Sequence, residues 1–303
     1  MNNVNEQFLL SLIIIIVGYT CKRMNLIEKQ DGECLARIIF NISLPALIIN
    51  TFDTIVIDFS LILITIIGIV YGTFMAVLGV AAFKNEDRSA RGMFSMLIPA
   101  FNIGLFAYPL VEAIWGQQGI KYFGMFDVGN SLVTFGIMYI VAGYFSAKGS
   151  DLSFTSIFGK LVKSVPLLSY FIAFSFSISG LHFPGIVINI TKILAQANMP
   201  LSLLLLGVYL NFSLESKYLK DMVKILALRY LVGLAVGVAL FFLMPFDKMF
   251  RVTMLIGLLL PIPTMVIPYA IEFGYDPKFV GTLTNLTIVL SFLLMWIIIP
   301  NLV

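Results

Sequence analysis

The chain has 303 residues, of which 60% are hydrophobic and 12% charged, with a mean hydropathy of +1.01. Soluble domains carry about a quarter charged residues, so this composition excludes a water-soluble globule and makes lipid the solvent for much of the surface. The net charge of +3 gives no footing for nucleic-acid binding, and the two cysteines, Cys21 and Cys34, flank one short polar loop rather than framing a disulfide scaffold.

The first apolar run, Phe8–Tyr19, has no Lys or Arg before it. Secretory signal peptides start basic, so this run reads as a retained helix. Runs of the length a bilayer-crossing helix needs, about 20 apolar residues, then recur to the end of the chain. The pattern predicts ten helices, over 7–23, 33–53, 59–83, 91–115, 118–146, 157–179, 184–211, 218–244, 249–273 and 277–301, joined by short polar connections. With both termini outside, 15 of the 19 Lys and Arg residues fall on cytoplasmic connections and 4 outside, in accord with the positive-inside rule. Arg229 of the eighth helix is counted on the inner side because a long cationic side chain can snorkel to the surface. Nine or eleven helices would break the alternation. The expectation is an all-α, multi-pass protein of the plasma membrane with its N-terminus and C-terminus outside.

Residues 1–150 and 151–303 each hold five predicted helices, and an odd number per half inverts one half relative to the other. The halves are also alike in sequence. Ser95-Met-Leu-Ile98 in the fourth helix matches Thr253-Met-Leu-Ile256 in the ninth, and each is followed by a proline-interrupted stretch. Gly124, Asp127, Asn130, Thr134 and Phe135 align with Gly281, Thr284, Thr287, Ser291 and Phe292 at a constant offset of 157. The second and seventh helices carry Pro45 and Pro200 in their middles. Inverted repeats with helices interrupted at matching positions point to a transporter binding site near the bilayer midplane.

The fourth helix reads Ile98-Pro-Ala-Phe-Asn102-Ile-Gly104-Leu-Phe-Ala-Tyr-Pro109, and the ninth reads Pro261-Ile-Pro263-Thr264-Met-Val-Ile-Pro268. Proline removes a backbone donor and clashes with the preceding turn, and freed backbone groups are tolerated in a membrane only along a cavity or inside protein. Helix N-termini at such breaks carry partial positive charge that suits a carboxylate. The plainer alternative is a pair of kinked but continuous helices. In the fifth helix Asp127, Asn130, Ser131 and Thr134 share one face, with Asp127 about 12 Å inside the helix end at 1.5 Å per residue. An intramembrane carboxylate is expensive and faces a polar cavity. It reads either as a proton or cation coupling site or as a hydrogen-bond partner of the broken neighbour, with Asn130 and Thr134 capping. Thr284 and its neighbour Asn285 are the polar candidates of the tenth helix.

Glu112 and Glu272 sit near helix ends and read as interfacial, and His182 as a loop residue. Gly68, Gly72 and Gly79 read as close-contact positions between helices. One His and two separated Cys do not make a structural zinc site. A nucleotide-binding loop and a nucleophile with a base partner are both missing, so no enzyme, metal or cofactor is expected, beyond H+ or Na+ as a coupling ion. No Lys or Arg is placed at a helix centre, so a bound anion would be neutralised by backbone dipoles or a co-bound cation.

Four stretches carry a family resemblance: Asn41-Ile-Ser-Leu-Pro-Ala-Leu47, Asn102-Ile-Gly-Leu-Phe-Ala-Tyr-Pro109, Phe126-Asp-Val-Gly-Asn130 and Pro263-Thr-Met-Val-Ile-Pro268. Together, in order and over nearly the whole chain, they resemble the auxin efflux carrier family, which includes bacterial permeases and the plant PIN-formed carriers. The resemblance implies two inverted five-helix repeats, with helices four and nine crossing beside the substrate. It implies an elevator-like motion of the crossing helices against a scaffold of helices one, two, six and seven, and a homodimer. It makes the substrate a small carboxylate, malate- or malonate-like or auxin-like, with Asn102 in contact with it and Pro109 and Pro268 forming the crossing. Thr264 stands where the plant carriers have Gln, and their long central loop is short here, so auxin itself is not supported. The fold also resembles that of bile-acid sodium symporters. The expected site is Asn102, Gly104, Pro109, Pro263, Thr264, Pro268, Pro45 and Pro200, in a secondary active transporter. A channel or a ligand sensor on the same fold is the rival.

Overall fold

The computed structural model describes residues 2–53, 55, 57–148, 152–211 and 218–302. Among these the regular structure is helical throughout, without a strand. The α-helices are α1 (Asn2–Arg23), α2 (Lys29–Ile38), α3 (Leu44–Phe52), α4 (Phe59–Ala82), α5 (Arg88–Met96), α6 (Tyr108–Leu132), α7 (Met138–Phe145), α8 (Phe154–Lys163), α9 (Val165–Ile178), α10 (Gly185–Gln196), α11 (Asn198–Tyr209), α12 (Leu219–Leu243), α13 (Lys248–Gly257), α14 (Val266–Phe273) and α15 (Pro277–Ile298). Aspartates start four of them. Asp58, Asp87, Asp247 and Asp276 accept from the backbone of Leu61, Ala90, Phe250 and Lys278 at 2.8–3.0 Å, taking up N–H groups that the first turn leaves unpaired.

Among the described residues, seven helical stretches are long and apolar enough to cross a bilayer, or eight if the α8–α9 pair is one bent span. The chain is therefore a multi-pass membrane protein. One stretch, Ile103–Phe145, runs for 43 residues. At 1.5 Å per residue it would be about 64 Å long, twice a bilayer core. It is broken at Gly116, whose φ of +58° and ψ of −143° lie outside the helix region, where the sequence predicts the fourth helix to end. Three π-helical turns, Ile39–Ser43, Ile103–Ala107 and Val133–Ile137, join α2 to α3, lead into α6 and join α6 to α7. The first two run directly into Pro45 and Pro109, which cannot donate to the preceding turn.

Two predicted elements need correction. The sixth helix, expected as one element over 157–179, is bent by 76° between α8 and α9. There the Ser164 hydroxyl caps α9 by accepting from the Leu167 N–H, and Pro166 sits in its first turn. The second helix starts four residues early, because Asp31 accepts from the Glu28 N–H at 2.8 Å and closes the first turn.

The helices pack as two groups. In one, α1 lies along α11, and α3 contacts both α9 and α10; in the other, α4 lies on α6, α5 on α7, α12 on α13 and α14 on α15. Gly18 and Gly207 let α1 and α11 meet backbone to backbone, since a Cβ on either would strike the carbonyl of Leu204 or Ile15. The glycine row of α4 behaves as expected: a Cβ on Gly72 would lie 2.6 Å from Val133. The stretches that carry Pro45 and Pro200 are tied beside those prolines, where the buried Ser43 hydroxyl donates to Asn198 Oδ1 at 3.3 Å.

Candidate functional site

The helix of α5 stops at Met96 and resumes at Ile103, and that of α13 stops at Gly257 and resumes at Val266. The two interruptions touch: the Asn102 N–H donates to the Pro261 carbonyl at 2.8 Å. Pro109 and Pro268, the residues expected at a crossing, lie downstream of that bond in the first turns of α6 and α14.

Each interruption leaves backbone groups that must be paired inside the protein. In the first, Asn130 replaces a strand partner: its Oδ1 accepts from the Phe101 N–H at 2.8 Å and its Nδ2 donates to the Phe101 carbonyl at 2.9 Å. In the second, Thr287 accepts from the Ile262 N–H at 3.0 Å and donates to the Thr284 carbonyl at 2.7 Å, and Ser291 donates to the Leu259 carbonyl at 2.7 Å. Asn130 and Thr287 are partners in the 157-residue offset, so the sequence likeness corresponds to a shared task.

Arg229 joins both interruptions from behind. It does not snorkel; it is 2% exposed and lies mid-way along α12. Its Nη1 donates to the carbonyls of Leu97, Ile98 and Ala100 at 3.0, 2.6 and 3.0 Å, and its Nη2 to that of Leu260 at 3.0 Å. A basic residue therefore does stand at a helix centre, against the sequence expectation. These oxygens belong to the turns just after α5 and α13, the partially negative ends of the half-helices.

A cavity of about 520 Å³ opens beside the two interruptions. Asn102, Gly104, Asp127, Asn130, Ser131, Thr134, Pro263, Thr264 and Pro268 line it, so most of the expected site is gathered there. All three π-helical turns also contribute wall residues, among them Asn41 and Phe135, and such wide turns are frequent at functional sites. Pro109, Pro45, Pro200, Thr284 and Asn285 do not line the cavity. Asn285 instead ties the end of α11, donating to the carbonyls of Tyr209 and Asn211 at 3.1 and 3.0 Å. Thr284 donates to Val280 within its own helix at 2.8 Å.

The wall offers donors. Asn102 accepts from the Leu105 N–H, while its Nδ2 has no partner among the described residues. Thr264 and Met265, just ahead of the first turn of α14, also line the cavity. Asp127 is buried, with Oδ2 3.1 Å from the hydroxyls of both Tyr108 and Tyr170, which also bond each other, and Oδ1 3.5 Å from Asn130 Nδ2. Tyr108 and Asp127 lie on either side of the Gly116 break in α6, and Tyr170 is on α9, in the other group of helices.

Sequence reasoning missed three charged wall residues: Arg37, Lys163 and Glu272, all exposed. Arg37 and Lys163 were read only as markers of sidedness, and Glu272 as interfacial; it faces the cavity and accepts from the Tyr139 hydroxyl at 2.7 Å. Only the bend at Ser164 brings Lys163 there, and no local pattern announces it.

Interrupted helices that meet beside a cavity in a multi-pass membrane protein are an arrangement that membrane transporters use. Residues 4–299 match the family described as membrane transport protein, and the chain belongs to that auxin efflux carrier-type family. It is 24% identical over 293 residues to an uncharacterized transporter of Methanothermobacter thermautotrophicus, covering 94% of each chain. It is 23% identical over 218 residues to an uncharacterized transporter of Methanocaldococcus jannaschii, covering 68% of each.

Proposed function

We propose that the protein is a secondary active transporter of a small organic anion, a mono- or dicarboxylate, working by alternating access. The observation that carries this reading is the cavity beside the two helix interruptions, walled by Asn102 of one and by Thr264 and Met265, just ahead of α14, of the other. A carboxylate accepts several N–H bonds at once, and a helix N-terminus adds its dipole. Arg37 and Lys163 on the same wall attract anions toward it.

The chain folds as two inverted repeats of five spans, 1–150 and 151–303. Gly116 divides the 43-residue stretch, and the fourth and ninth spans are the broken ones. The α1–α3 and α9–α11 group is the scaffold, and the crossing group moves past it as an elevator. In the plasma membrane, with both termini outside, the cavity opens to the cytoplasmic side, where Arg37 and Lys163 lie. A homodimer formed through the scaffold would hold it still. The coupling ion is H+, with Asp127 as its site: the Tyr170 bond links the two groups, so movement must break it.

The test is thermal stabilisation of the purified protein by a panel of mono- and dicarboxylates, followed by uptake into proteoliposomes. A ligand that binds the folded state raises the midpoint by mass action. Saturable uptake with counterflow, and loss of its pH dependence in Asp127→Asn, are the expected outcomes. A flat response to every anion, or flux that does not saturate, as in a channel, would overturn the carrier reading.

A further inference from the structure

We propose that Arg229 is a tethered cation that fills an alkali-ion position between the two broken helices, so that the crossing needs no sodium or potassium there. Four main-chain carbonyls, from Leu97, Ile98, Ala100 and Leu260, converge on its guanidinium at 2.6–3.0 Å. Three belong to one interruption and one to the other. Unwound carbonyls at half-helix C-terminal ends are the ligand set with which transporters hold a coupling cation, and hard cations take carbonyl oxygens. Here the position is taken by a side chain of the protein itself.

The rest of α12 is shaped to deliver that charge. Gly233 and Gly237 follow Arg229 at one-turn spacing, and a Cβ at Gly233 would strike the Leu258 carbonyl, while one at Gly237 would lie 3.1 Å from Leu255. With only hydrogens on that face, α12 lies close against α13, and the arginine reaches across the interruption. The Phe101 ring covers the guanidinium, with 5.0 Å between its centroid and the guanidinium carbon. Among the described residues no carboxylate bonds to the Arg229 guanidinium, whose hydrogen-bond partners are main-chain carbonyls. The positive charge is therefore matched by carbonyl dipoles and the face of the Phe101 ring. A fixed cation behind the crossing also leaves a net positive charge next to the cavity wall at Phe101 and Asn102, on the side where an anion would bind.

Arg229 is thus a positioning residue. The assignment deepens the transport reading, on which its meaning for coupling rests, but it is tested on protein without substrate. Melting midpoints would be measured in sodium, potassium and choline chloride at equal ionic strength, for the wild type and for Arg229→Ala, Arg229→Lys and Arg229→Met. The wild type should melt at the same temperature in all three salts. Arg229→Ala opens the carbonyl cage and should gain about 3 °C or more in sodium or potassium over choline, because only a folded cage binds the ion. Methylguanidinium at millimolar concentration should rescue it in the same way. If Arg229→Ala does not fold, the other two variants decide. Arg229→Lys retaining stability that Arg229→Met loses supports a charge requirement, whereas equal behaviour of the two overturns it. A folded Arg229→Ala indifferent to every cation, or a wild type stabilised by sodium over choline, would also overturn the proposal. A failed anion panel would leave these outcomes untouched.

Discussion

The two interruptions share a job and are built differently. The first is patched by one amide, Asn130, that takes both the N–H and the carbonyl of Phe101. It lies beside the buried Asp127 and its two tyrosines. The second is patched by hydroxyls, Thr287 and Ser291, that each take one backbone group, and Thr284 stands where the first half has Asp127. One half thus holds the titratable group and the stronger patch, and the other leaves its helix start, Thr264 and Met265, open to the cavity. The two interruptions can differ in this way because only the backbone breaks must be kept matched. The polar side chains around them are free to specialise.

The asymmetry sets the order of expected effects. Asn130→Ala strands two buried backbone groups at once and should cost about 2–4 kcal/mol, read as a fall in the melting midpoint. Thr287→Val strands one N–H and should cost about 1–2 kcal/mol; equal losses in the two variants would show that the patches are equivalent after all. Asn102→Ala should weaken anion binding about 10-fold by removing an unpaired donor, whereas Thr264→Val keeps its backbone N–H and should bind within about 2-fold of the wild type. The reverse ranking would place the ligand on the Thr264 hydroxyl. The smallest effect belongs to the exposed charges. Arg37→Gln with Lys163→Gln should weaken binding about 3-fold at low salt and hardly at all at high salt, where exposed charges are screened.

Much of this was legible in the chain. Composition and run length gave a multi-pass helical protein, because lipid cannot satisfy a backbone group and so each span must be an apolar helix. Pro99, Gly104 and Pro109, matched by Pro261, Pro263 and Pro268, marked both interruptions, since proline acts on its own helix. The face of Asp127, Asn130 and Thr134 was legible from helical spacing, and the structure turns it to the cavity.

What the sequence could not settle was which separated segments meet. That Arg229 is buried against carbonyls of both interruptions, rather than reaching for the surface, depends on how closely α12 approaches α13. That Lys163 reaches the cavity depends on the 76° bend between α8 and α9, and that Asp127 meets Tyr170 depends on α9 packing against α6. The sequence by itself determined the apolar spans and the places where they break, because hydropathy and proline act locally along the chain. Only the tertiary structure decided which cation and which carboxylate stand at the crossing, because a charge in a membrane is tolerated where distant segments supply its partners.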